Sequence, residues 1–282
     1  MKFQLHHPGA RCGARFSVQG RDSFRPSASV QVLTLLVLIS SSAFAQGRGG
    51  PPPPPAAPKA AAPIDLTGYW VSIVTEDWRY RMLTPAKGDY ASVPINPEGR
   101  KVADAWDPAK DEASGNACKA YGAPGLTRQP TRLHITWDND NTLKVEFDAG
   151  TQTRMLNFSK PSATAEASWQ GVSEAKWELA AAPAGGGRGG PPVDPMTRGG
   201  SLKVVTSHLK PGYLRKNGVP YSADATLTEY FSVTNETNGD HWLIITSVVD
   251  DPKYLAQPFI TSTHFKKQAD ASGWSPSPCT AK

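Results

Sequence analysis

The chain has 282 residues, a formal net charge of +5 and 39% hydrophobic residues. Residues 1–45 carry Lys2, Arg11, Arg15, Arg21 and Arg25 against Asp22 alone, so +4 of that charge sits in the first 45 residues and the remainder is close to neutral. No Lys/Arg run remains to form a phosphate-binding footprint, which argues against a nucleic-acid partner, and the length bounds one or two domains around a modest core.

The basic N-terminus precedes an apolar stretch, Val30 to Ile39, followed by Ser40 to Ala45. A basic flank, a short apolar core and Ala43-x-Ala45 together predict a secretory signal peptide over residues 1–45, cleaved after Ala45. The apolar run is shorter than the roughly 20 residues that span a bilayer, so no membrane insertion is expected once the signal is removed. The protein is therefore expected to be exported, to the periplasm or the extracellular space. Residues 46–64 contain Pro51 to Pro55 and a following Ala/Pro run, a composition that reads as a semi-rigid spacer. Residues 65–282 read as one folded domain, interrupted over 180–200 by a Gly/Pro-rich segment expected to be a flexible loop.

Period-two alternation dominates this domain. Trp70 to Val74 reads as the first strand, and a short helix is predicted over Pro97 to Trp106, with Asn96 as cap and Pro97 at the first helical position. Arg132 to Trp137, Leu143 to Phe147 and Thr151 to Phe158 form a meander with tight turns. Ser168 to Gly171 and Ala175 to Leu179 read as a further hairpin. Leu202 to Leu209, Ala225 to Val233, His241 to Val249 and Ile260 to Lys267 complete the set. Roughly eight to ten short strands with close spacing predict an all-β fold, an antiparallel β-barrel with one short helix and long Gly/Pro-rich loops. Cys12 leaves with the signal, and the even pair that remains in an exported chain predicts a Cys118–Cys279 disulfide.

Gly68-Tyr69-Trp70 at the head of the first strand resembles the Gly-x-Trp motif of lipocalins and related calycins. That resemblance implies a barrel whose base is plugged by Trp70, with a basic residue of the last strand, Lys266 or Lys267, over it. Three longer segments, Cys118 to Pro130, Gly212 to Tyr221 and Val249 to Pro258, are similar to a family of uncharacterised secreted bacterial proteins. The likeness covers most of the chain after Asp65. It implies export and a lipocalin-like barrel, and it implies no catalytic residues.

A barrel of this strand number encloses at most one small ligand. All eight tryptophans lie in the exported portion, which suits an apolar or aromatic compound. Trp78 and Trp137 are candidate ligand contacts, Trp137 because Leu133 and Ile135 share its face. Arg154 shares a face with Leu156 and Phe158, and Glu229 shares one with Leu227 and Phe231. An inward carboxylate needs a partner, so Glu229 with Arg154 or Arg132 would form a polar patch that orients a ligand or does acid–base work. His134 is a further acid–base candidate, although parity sets it opposite Leu133. In the loop from Lys210 to Ser222, Asn217-Gly218 signals a tight turn, and Tyr213 and Arg215 are candidates to close over a ligand. Asp250-Asp251-Pro252 reads as a turn. No histidine pair shows metal spacing, and no nucleophile elbow or nucleotide-binding glycine pattern occurs, so neither metal nor cofactor is expected.

The leading reading is an exported lipocalin-like protein that binds a small apolar or aromatic molecule in its barrel cavity. One alternative is a periplasmic hydrolase or isomerase using an acid–base pair in that cavity. The other is an envelope interaction module. The ligand and the oligomeric state stay open at this level.

Overall fold

The structure, a computed structural model, describes residues 55–160, 164–180 and 199–281. The predicted export signal, the linker up to residue 54 and the loop over 181–198 lie outside the described residues. Nine strands close into a barrel: β1 (Gly68–Ile73), β2 (Arg132–Asn139), β3 (Thr142–Phe147), β4 (Gln152–Asn157), β5 (Val172–Leu179), β6 (Gly200–Ser207), β9 (Thr226–Asn235), β10 (His241–Asp250) and β11 (Phe259–Gln268). Their order around the ring is β1-β11-β10-β9-β6-β5-β4-β3-β2. Between β6 and β9, a two-stranded hairpin, β7 (Gly212–Tyr213) and β8 (Pro220–Tyr221), leaves the wall.

The fold is all-β, as the alternation predicts, with one correction. The barrel is mixed, because β4 and β5 run parallel, with Leu156 opposite Ser173. A ring of nine strands cannot alternate direction throughout, so one neighbouring pair must be parallel. The connection over residues 158–171 is long enough for the crossover that a parallel pair needs. Ser168 to Gly171 accordingly forms no hairpin with Ala175 to Leu179; Ser168 bridges Leu209 instead.

The helical content also exceeds the single predicted helix. Besides α2 (Pro97–Asp104) there are α1 (Trp78–Arg81), α3 (Pro108–Ala113), α4 (Ala123–Leu126) and a 3₁₀ turn (Ala117–Tyr121). Asn96 caps α2 as predicted, its Oδ1 accepting from Gly99 N at 2.9 Å. Asp107 does the same for α3, accepting from Ala109 and Lys110. Two short helices therefore start on an Asx-Pro pair, which caps the free N–H groups and presets the first helical φ. Cys118 and Cys279 are joined by a disulfide that ties the C-terminal tail to the 3₁₀ turn.

Inward side chains fill the barrel. Trp70, Leu133, Ile135, Phe147, Leu156, Leu202, Phe231 and Phe265 are all buried. Residues just before β1 cover one end of the barrel. Trp177 Nε1 donates to Pro58 O at 2.8 Å, Lys59 N donates to Asp140 O at 3.1 Å, and Ile64 packs on the core. The packed body thus begins several residues before Asp65. At the other end a second apolar cluster, including Tyr90, Leu214, Tyr221, Leu255 and Phe259, joins the helices, the β7–β8 hairpin and the strand ends. Among the described residues no helix is long and apolar enough to cross a membrane.

Candidate functional site

Arg154 on β4 and Glu229 on β9 both point into the barrel. They belong to strands separated by β5 and β6, so they meet across the lumen rather than along the wall. Arg154 donates to both carboxylate oxygens, Nη1 to Oε1 at 3.0 Å and Nη2 to Oε2 at 2.5 Å. Nη2 also donates to Thr206 Oγ1, which bonds to Ser173 Oγ at 2.8 Å. The two charged side chains are 1% and 0% exposed, so the pair is sealed from solvent. The pair is bidentate, the geometry that guanidinium and carboxylate favour, and Arg154 Nε is left buried without an acceptor. Neither cavity described below is lined by Arg154 or Glu229.

The remaining predicted residues do not join this pair. Arg132 is half-buried on the outer side, with Nη1 3.6 Å from Asp148 Oδ2. His134 is also outside: it stacks on Tyr69 with ring centres 4.1 Å apart, and its Nδ1 lies 3.1 Å from Glu146 Oε2. Trp137 packs with Phe158 and Trp177 near the end covered by Pro58, with ring centres 5.7 and 6.5 Å from its own. Trp78 is exposed on α1, off the barrel wall. Tyr213 donates to Asp111 Oδ2 at 2.7 Å, and burial followed by that bond pushes its phenol well above the ordinary tyrosine value. Arg215 is buried and donates to Ala91 O and Ser92 Oγ. Asp251 forms the predicted turn, accepting from Ser222 N and Oγ and from Lys253 N.

The open space at the barrel lies elsewhere. A cavity of about 360 Å³ opens at the end where β1 begins. Its walls include Ile64, Trp70 and Val233 on the apolar side and Asp65, His241 and Lys267 on the polar side. Trp70 is fully buried, with its Nε1 donating to Leu66 O at 2.9 Å. Lys267 Nζ lies 5.2 Å from the centre of the Trp70 ring and 4.0 Å from Asp65 Oδ2. A cation over an indole face is attracted by the ring quadrupole. Gly68 makes room for it: its φ is +107, and an added Cβ would stand 3.2 Å from Lys267 Cε. Of the lining residues, sequence reading singled out Trp70 and Lys267. Val233, His241 and Asp65 carry no local signal, because each is an ordinary strand end or turn residue. Among the described residues no group of three or more His, Cys, Asp or Glu side chains is placed to hold a metal ion.

No family model, curated protein or solved structure matches this chain.

Proposed function

We propose that this is an exported, lipocalin-like binding protein that holds a small apolar or aromatic molecule, and that it does so at the mouth of the barrel rather than deep inside it. The observation that carries this reading is the cavity of about 360 Å³ beside Trp70 and Lys267. Its size falls within the range of small-molecule sites, which combine apolar walls with a few placed polar groups. The barrel interior is occupied by its own aromatic and aliphatic side chains. Lys267 over Trp70 is the arrangement that the resemblance to lipocalins implies, and it supports that part of the proposal. The apolar run before Ala43-x-Ala45 and the Cys118–Cys279 disulfide support export. The sealed Arg154–Glu229 pair offers no open site for acid–base chemistry, and nothing observed favours the interaction-module alternative.

Untargeted mass spectrometry of compounds that co-purify with the exported protein tests this directly. A small aromatic or apolar compound is expected with the wild type. It should be lost from Val233→Trp, which fills the mouth from a half-buried position at the edge of the core, provided the variant keeps the wild-type melting temperature. Recovery of the same compound from both proteins would refute the site.

A further inference from the structure

The capping end of the barrel gathers three arginines from three separate segments. Arg81 closes α1, Arg128 follows α4, and Arg215 lies between β7 and β8. They are 6%, 4% and 3% exposed. With Tyr80, Leu83 and Lys216 they line one cleft of about 20 Å³, room for about one water-sized group, such as a carboxylate oxygen, and not for a ring.

The countercharge there is incomplete. Arg81 pairs with Glu76 and also donates to Ser72 Oγ and Arg128 O. Arg128 Nη2 pairs with Asp77 at 3.0 Å. Among the described residues no carboxylate lies within salt-bridge distance of Arg215, which has Ala91 O, Ser92 Oγ and the Tyr80 ring, 4.3 Å away, as partners. Lys216 Nζ bonds to Thr280 Oγ1 and lies over Tyr121. Two carboxylates, Glu76 and Asp77, are therefore within ion-pair distance of the three buried guanidiniums, and Asp77 and Asp89 act on Arg215 only from farther away. Burial, and then the charge of Arg128, brings Arg215 down to about 10, and Arg81 is lowered chiefly by burial. Two donors, Arg128 Nη1 and Arg215 Nε, are buried without an acceptor. Buried cations and donors are costly unless an anion or acceptor meets them. Two of the residues that hold these arginines are themselves in the left-handed region, Asp77 at φ 50 and Ser92 at φ 63. Non-glycine residues adopt it at a cost, and such residues cluster at binding sites.

Beside this cationic cleft stands exposed apolar surface. Of seven large hydrophobic residues exposed among those described, three fall within Trp78 to Leu83: Trp78 at 61%, Met82 at 55% and Leu83 at 68%. Trp78 and Met82 are one helical turn apart, and Leu83 lines the cleft itself. We propose that this is a second binding site, for the carboxylate head of a small amphipathic acid whose apolar body lies along Leu83. Guanidinium groups match carboxylate geometry, and the space admits an oxygen of the head group while the body stays outside. This site does not depend on the mouth site proposed above.

Isothermal titration of the exported protein with octanoate and with octanamide, its neutral counterpart, tests the proposal. Octanoate is expected to bind at least about tenfold more tightly, the difference that a charged hydrogen-bonding partner makes. Arg215→Gln should abolish that difference. Because Arg215 also holds the Ala91–Ser92 turn, Leu83→Ser provides an independent variant at an exposed position. It should keep the wild-type melting temperature and weaken octanoate about three- to tenfold. Val233→Trp at the barrel mouth should leave octanoate binding unchanged. Equal affinity for the two compounds, no octanoate binding by the folded protein, an unaffected Leu83→Ser variant, or loss of octanoate in Val233→Trp would each overturn the proposal.

Discussion

Glu229 shows how far a single residue can be read. Its place between Leu227 and Phe231 sets it inward by strand parity, and an inward carboxylate needs a partner. The structure supplies Arg154, with Thr206 and Ser173 extending the network. Such a pair contributes little net stability when intact, because desolvation offsets attraction, but breaking one side leaves a charge stranded. Glu229→Gln is therefore expected to cost about 3–5 kcal/mol in urea unfolding. The double variant Arg154→Met/Glu229→Leu should recover most of that loss. A Glu229→Gln protein as stable as the wild type would show that water or another group already satisfies Arg154. Arg132 and His134 are the contrasting cases. Parity sets His134 outside, where it lies beside Glu146; Arg132, expected as an alternative inward partner of Glu229, lies outside as well, because it alternates with the inward Leu133, and it pairs with Asp148 instead.

Among the elements, the β2–β4 meander was legible because hairpin partners are adjacent in sequence and their turns carry Asn and Gly. The capping helices were legible only in part. Asp107-Pro108 is a readable start signal, whereas Ala123-Pro124-Gly125-Leu126 has loop composition and is helical in a place where all four residues are buried. The C-terminal tail has no periodicity at all and is held by its links to the barrel. Cys279 bonds to Cys118, Ser277 N donates to Asp148 O at 2.9 Å, and Thr151 Oγ1 donates to Ser277 O. Replacing both cysteines by serine removes a cross-link between residues 161 positions apart. The loss in the chain-entropy model is about 4–5 kcal/mol. Hydrogen exchange should accelerate at Ser277 while the strand amides stay protected. Equal acceleration in β9 and β10 would mean that the tail is part of the barrel's own cooperative unit.

At the scale of the whole molecule, the capping end carries three tyrosines that resist ionisation. Burial and a hydrogen bond to Asp104 push Tyr90 up to about 12. Burial, then Asp111, raises Tyr213, and burial alone raises Tyr221. In the unfolded chain all three would lose their protons near pH 10, roughly the ordinary tyrosine value. Above that pH the unfolded state binds fewer protons than the folded one, so stability falls as pH rises. The contribution is fully present below about pH 10; for Tyr90 it is lost as pH climbs through about 12, and for Tyr213 and Tyr221 at still higher pH. In an alkaline titration followed by tyrosinate absorbance, at least three of the eight tyrosines should ionise only with loss of the near-UV circular dichroism signal. Reversible ionisation of all eight with that signal intact would contradict the packing described for this end.

The sequence alone determined the nine barrel strands, the inward place of Arg154 and Glu229, the α2 cap and the cysteine pair, because alternation, capping and residue type are local properties that the chain records directly. The parallel β4–β5 contact, and the choice of Arg154 over Arg132 as the partner of Glu229, required the closed ring. Closure of nine strands is a global condition, and it selects neighbours that no local pattern names. The convergence of Arg81, Arg128 and Arg215 was hidden for a related reason. They lie in short helices and loops without periodicity, and only the packing of those segments over the barrel end brings their charges together.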